Sequence, residues 1–180
     1  MQAEIGRAKL TPAHSIPSRG HMMCDFTLPS IKGKPISLFD YRGRANLVVF
    51  FAGDPDHTEG QRLLSSLAEH YAEIRDQDSE VLLVLACSRE RAGWVKAQSQ
   101  LPFPVVVDEN AQVHKEVGAF RGQAGFAPAL YVMDRFMEVH AAWHTGFGGT
   151  LPGVPDVLSW LAYLDSVCPE CTQVEWPNEE

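Results

Sequence analysis

Apolar residues along this chain fall into two kinds of run. Asn46-Leu47-Val48-Val49-Phe50-Phe51-Ala52 and Val81-Leu82-Leu83-Val84-Leu85-Ala86-Cys87 are unbroken apolar or β-branched stretches, the pattern of strands buried on both faces. Val105-Val106-Val107 is a third, shorter one. Leu63, Leu64, Leu67, Tyr71 and Ile74 instead recur at helical spacing, which predicts one helix of about five turns after the first strand. Arg89 to Gln98 reads as a short helix. Asn110 to Val117 reads as another, ended by Gly118 where a left-handed residue is wanted. Ala129 to Met133 and Met137 to Trp143 read as two strands joined by Asp134-Arg135-Phe136. Pro155 to Val167 then predicts a final helix, with Pro near its start and Val157, Leu158, Leu161 and Leu164 on one side. Ahead of all this, Asp25-Phe26-Thr27-Leu28-Pro29 and Ile36-Ser37-Leu38 flank a turn at Lys32-Gly33-Lys34-Pro35 and predict a small hairpin. Alternation of strand and helix followed by a hairpin and a terminal helix predicts an α/β protein with a mixed sheet.

Punctuation divides the 180 residues into three parts. Residues 1–23 hold Pro12, Pro17 and Gly20 without an apolar period and read as a loosely ordered arm. Residues 24–167 form the domain, and residues 168–180 a tail. With 45% hydrophobic residues the chain buries one substantial core. Lys plus Arg number 15 against 23 Asp plus Glu, a net charge of −8 with no basic cluster, which argues against nucleic acid and anionic membrane as partners. No apolar run reaches the ~18 residues of a membrane span, and the first residues lack the apolar centre of a secretory signal, so a cytoplasmic location is expected. Gly146 to Gly153 is glycine-rich but has no phosphate-binding spacing and reads as a connection.

Several of these pieces carry a resemblance. Asp25-Phe26-Thr27-Leu28-Pro29, Gly33-Lys34-Pro35-Ile36-Ser37-Leu38, Tyr41-Arg42-Gly43, the Asn46 to Ala52 run, Phe103-Pro104-Val105-Val106-Val107-Asp108 and Gly125-Phe126-Ala127-Pro128-Ala129-Leu130-Tyr131-Val132-Met133-Asp134 follow one another in order. This series resembles the redoxins of the alkyl hydroperoxide reductase and thiol-specific antioxidant group, which are peroxiredoxin-like. The resemblance implies a thioredoxin-like fold, a central mixed β-sheet flanked by helices, with an active site at the N-terminus of the helix after Phe50-Phe51-Ala52. It also implies antioxidant or thiol–disulfide chemistry, a cis-proline at Pro128, a thioredoxin-type reductant or other protein as partner, and compatibility with a homodimer. No cofactor is expected.

A thiolate at a helix N-terminus is stabilised by unpaired N–H groups and the helix dipole, which is why such proteins place cysteine there. Here the loop reads Gly53-Asp54-Pro55-Asp56-His57-Thr58-Glu59-Gly60 and has no cysteine. By the resemblance, Pro55 and Thr58 stand where a thioredoxin-like member has its two cysteines. Aligned to peroxidases, Ala52 replaces a proline, the region of Glu59 replaces the peroxidatic cysteine, and Pro128 replaces the arginine that supports it. The loop residues Asp54, Asp56, His57 and Glu59 have two readings: convergent metal or acid–base ligands, or helix caps with Pro55 in the first helical turn. Capping accounts for the composition without a ligand.

Four cysteines occur, Cys24, Cys87, Cys168 and Cys171. Only Cys168-Pro169-Glu170-Cys171 has the C-x-x-C spacing of a redox pair or zinc ligand pair. Its place after a helix and the charge of Glu170 both raise thiol pKa. A redox pair at Cys168 and Cys171, an inert tail pair, and a zinc site completed by His140 and His144 from one face of a strand are the three alternatives. Cys87, at the carboxyl edge of its strand, reads as a small buried hydrophobe, and Phe50, Phe51, Trp94 and Trp160 read as core.

Overall fold

The apolar run beginning at Asn46 forms the central strand β3 (Asn46–Gly53), buried at every position as a strand between two layers must be. In this computed structural model residues 16–167 are described. Two short strands, β1 (Thr27–Pro29) and β2 (Pro35–Ser37), precede it as an antiparallel hairpin. Helices α1 (Thr58–Glu69) and α2 (Tyr71–Arg75) follow, then β4 (Ser79–Leu85), α3 (Arg89–Gln98) and β5 (Val105–Val107). The chain continues through α4 (Gln112–Glu116), β6 (Ala129–Met133), β7 (Val139–His144) and α5 (Val154–Ser166). The main sheet has the order β5-β4-β3-β6-β7, with β3, β4 and β5 parallel and β6 and β7 antiparallel to their neighbours. A mixed sheet is what the strand and helix pattern implied, and its thioredoxin-like arrangement is what the resemblance implied.

Alternating side chains split the core in two. Val48 and Phe50 face a layer built from Leu63, Leu64 and Leu67 of α1, Ile74 of α2, Val95 of α3 and Leu161 of α5. Leu47, Val49 and Phe51 face Leu28, Leu38 and Val113 on the other side, where the hairpin and α4 cover the sheet. The left-handed residue expected after α4 is Gly118, at φ +73°.

Four expectations need correction. The five-turn helix is two helices, because the chain leaves helical geometry at His70 (φ −100°, ψ 14°), whose ring Nδ1 lies 2.9 Å from the Ser66 carbonyl oxygen. Part of the supposed arm belongs to the sheet: Gly20 N–H donates to Val139 O at 2.8 Å, Val139 N–H to His21 O at 2.9 Å, and Met23 N–H to Met137 O at 2.9 Å. Those bonds cover the start of edge strand β7, and the Met23 side chain is buried. Trp94 is not core. Its side chain is 52% exposed on α3 with the Arg91 guanidinium carbon 4.5 Å from its ring centre.

The fourth correction concerns the two histidines of β7. The β6–β7 register shifts between Val132 and Met133, which pair with Ala141 and Val139, so His140 is an extra, bulged residue. One inserted residue changes the parity of the strand. His140 therefore turns toward Tyr163 of α5, at 6.4 Å between ring centres, whereas His144 packs edge-on against Tyr131 at 5.2 Å, on the opposite face. They do not share a face and cannot form the proposed Cys2His2 set. Burial pushes the His144 imidazole pKa down.

Candidate active-site loop

Strand β3 ends at Gly53, whose φ of +66° turns the chain away from the sheet. The loop that follows is a sequence of local hydrogen bonds. Asp54 Oδ1 accepts the Asp56 N–H at 2.9 Å, and His57 N–H donates to Asp54 O at 3.2 Å, forming a turn of the kind that Asp initiates. Gln61 Nε2 donates back to Pro55 O at 3.1 Å. Helix α1 then starts at Thr58 with His57 as its N-cap and no side-chain cap bond.

This geometry replaces the capping scheme expected from the sequence. Asp54 stabilises the turn before the helix, Pro55 lies in that turn and not in the first helical turn, and Asp56 pairs outward. Its carboxylate meets Arg91 Nη2 at 2.6 and 2.9 Å, a link from the loop to α3. Both partners are partly exposed, so the pair contributes little to stability, on the order of 0–1 kcal/mol. Glu59 Oε1 is 3.5 Å from the Leu151 N–H. Asp54, Asp56, His57 and Glu59 do not converge: among the described residues the group of three such side chains close enough to hold one ion is Asp134, Glu138 and His140.

Pro128 packs against the start of α1. Its ring, with those of Phe50 and the His57 Cβ, lies about 4.0 Å from where a side chain at Gly60 would begin, so it sits against the first turn of α1. The preceding peptide is trans, as are all those of the described residues, so Pro128 is not a cis-proline. It sits directly ahead of β6, where its missing N–H is tolerated, and its carbonyl extends the ladder by accepting from Thr145 N–H at 3.1 Å. At this place the side chain is buried and apolar and offers no donor to a thiolate.

Two described residues carry thiols, Cys24, exposed, and Cys87, half-buried. Cys87 lies two residues past β4, close enough to the loop to feel its charges. Burial pushes its thiol pKa up; Arg91 pulls it down, while Asp54, Glu109 and Asp56 push it further up. This thiol is beside the site without being activated for it. A labelling experiment checks this: in a Cys168→Ser/Cys171→Ser background near neutral pH, mass mapping should find Cys24 alkylated at least about tenfold faster than Cys87. Equal rates would contradict the environment described. The Cys168–Cys171 pair lies outside the described residues.

Comparison with known proteins fits this geometry. The family model for the AhpC/TSA family matches residues 19–142. The chain belongs to the AhpC/TSA family. Among curated relatives, chloroplastic peroxiredoxin Q of Sedum lineare is 26% identical over 133 residues, covering 72% of this chain and 70% of that one. The chloroplastic peroxiredoxin Q of Oryza sativa subsp. japonica is 27% identical over 133 residues, 72% of this chain and 60% of the rice protein. Solved structures share the fold: a PrxQ mutant of Xylella fastidiosa at TM-score 0.72 and 18% identity, over 83% of this chain and 98% of that one. AhpC of Mycobacterium bovis aligns at TM-score 0.68 and 20% identity, over 90% of this chain and 99% of that one. This AhpC/TSA member therefore keeps the sheet, the loop and the α1 N-terminus of a thioredoxin-like protein, with no thiol on the loop. Among the described residues no helix is long and apolar enough to cross a membrane.

Proposed function

We propose that this AhpC/TSA protein exchanges thiols and disulfides through Cys168 and Cys171, and that its α1 loop does not reduce peroxide. The observation that carries the reading is the α1 N-terminus itself, which holds His57, Thr58 and Glu59 where a nucleophilic thiol would stand and Pro128 against it. Cys87, the thiol beside that loop, has its pKa pushed up and serves poorly as a substitute. The tail pair has dithiol spacing. In the exchange, Cys168 and Cys171 give up two electrons and two protons to a substrate disulfide, form their own disulfide, and are reduced again by a thioredoxin-type dithiol. A reducing cytoplasm suits such a pair.

The test is thioredoxin-coupled disulfide reduction by the full chain. The Cys168→Ser/Cys171→Ser variant should lose at least about 90% of the turnover, the behaviour of residues acting as one unit. Removing Cys24 and Cys87 should leave turnover within about twofold, because neither belongs to the C-x-x-C pair and burial pushes the Cys87 thiol pKa up. Turnover unchanged in the tail variant would defeat the proposal.

A second reading has its own observation. Asp56 is tied to Arg91, and Arg91 in turn lies over the exposed Trp94, so an exposed aromatic and a fixed charge pair stand beside the loop. This surface suits a partner-binding redoxin without turnover. Under that reading the wild-type chain shows no disulfide or peroxide turnover, and Trp94→Ala abolishes saturable binding of its protein ligand.

A further inference from the structure

The bulge that separates His140 from His144 gives His140 different company. Asp134, just after β6, and Glu138, ahead of β7, each bring a carboxylate oxygen to the His140 ring, and one donor atom from each of the three residues lies within 4.8 Å of the others. His140 Nε2 and Asp134 Oδ2 are 3.5 Å apart. That is long for a hydrogen bond but close to the roughly 3.4 Å between two ligands of one tetrahedral zinc ion with bonds of about 2.1 Å. Asp134 is oriented for this. Its Oδ1 accepts the N–H groups of Phe136 at 2.8 Å and Glu138 at 2.9 Å, which fixes the carboxylate and leaves Oδ2 facing the imidazole.

The surroundings favour a cation. All three residues line one cleft of about 430 Å³, whose wall also includes Asp165 and Val167 from the end of α5. Three carboxylates thus face this space against the single guanidinium of Arg135. Half-buried acids and an imidazole gathered on a fixed hairpin, with charge left over, form a donor set with three protein ligands and an open position.

We propose that Asp134, Glu138 and His140 bind one divalent first-row metal ion, zinc among them. The site is distinct from the α1 loop and stands whether or not the cysteine pair exchanges disulfides. Its fourth position is open to water.

Titration of the full, metal-stripped chain with Zn²⁺ by calorimetry tests the site, with Co²⁺ as a spectroscopic substitute. One ion should bind per chain. His140→Ala and Glu138→Gln should each weaken binding by at least about tenfold, the second without changing side-chain shape or the Glu138 N–H bond to Asp134. Circular dichroism checks that both variants fold. If Cys168→Ser/Cys171→Ser binds as the wild type does, the three residues suffice. If it loses the ion, the three residues do not suffice and the proposal fails. Binding unaffected in both His140→Ala and Glu138→Gln overturns the proposal, as does the absence of stoichiometric binding by the wild-type chain.

Discussion

Asp108→Ala should destabilise the protein by about 3–5 kcal/mol, measured as a lower urea midpoint at neutral pH, because it breaks a buried hydrogen-bonded pair from one side. Asp108 is 3% exposed and His114 0%. The Asp108 carboxylate has three donors: Gln112 N–H on Oδ1 at 2.9 Å, and on Oδ2 the His114 N–H at 2.9 Å and ring Nδ1 at 2.8 Å. A carboxylate only accepts, so Nδ1 carries the hydrogen. Truncation leaves two backbone N–H groups and the ring without an acceptor, in a space walled by Phe51 and Phe126, whose rings stand edge-on to the imidazole at 5.4 and 5.5 Å.

Asp108 also sets an acid limb. Burial pushes its pKa up, but the hydrogen bonds from the His114 ring and backbone and from Gln112 more than reverse this, so the net shift is downward. A carboxyl whose folded pKa lies below its unfolded value contributes stability that is complete above the unfolded pKa, about 3.9, and is lost as pH falls through the folded one. The wild type should therefore lose urea resistance below about pH 4, and Asp108→Asn, less stable at pH 7, should lose less of what remains over that interval. Parallel midpoint curves for the two proteins would show that this carboxylate is not the source.

Nothing in the stretch from Asp108 to His114 announces that pair. Its two members are six residues apart, joined through a turn in which Ala111 takes φ +54°, and neither helical nor strand period relates them. The same reason explains the other omissions. Arg91 and Asp56 meet across 35 positions, and the His140 bulge inserts one residue into a run whose alternation looks regular. Where burial on two faces or a helical stripe dictates the element, the reading was close: α3 spans Arg89–Gln98, β5 Val105–Val107 and β6 Ala129–Met133. The break at His70 was invisible because Tyr71 and Ile74 keep the apolar spacing of the helix before it, and Ile74 is fully buried. Of the candidate site, the loop and Pro128 were legible through the order of motifs. The roles of the loop acids were not, since caps, turns and ion pairs draw on the same residue types.

Gly53→Ala should cost about 2–5 kcal/mol, from two separable causes. Gly53 is at φ +66°, where a side chain adds strain of about 1–2 kcal/mol. A Cβ at this position would also lie 2.6, 2.7 and 2.9 Å from Cβ, Cγ and Cδ1 of Phe126. These atoms cannot simply swing aside, because the Phe126 ring is held between Phe120 at 5.0 Å and His114 at 5.5 Å. The expected overpacking adds about 1–3 kcal/mol. A double-mutant cycle with Phe126→Ala separates the causes: removing the ring should relieve the clash and leave the backbone strain, giving a coupling of about 1–3 kcal/mol. Purely additive effects would mean that Phe126 does not press on the loop. Because Gly53 O also accepts the Ala86 N–H at 3.1 Å, the substitution shifts the joint where β3, the α1 loop and the segment leading to Cys87 meet. A glycine here thus lets Phe126 pack against the base of the loop.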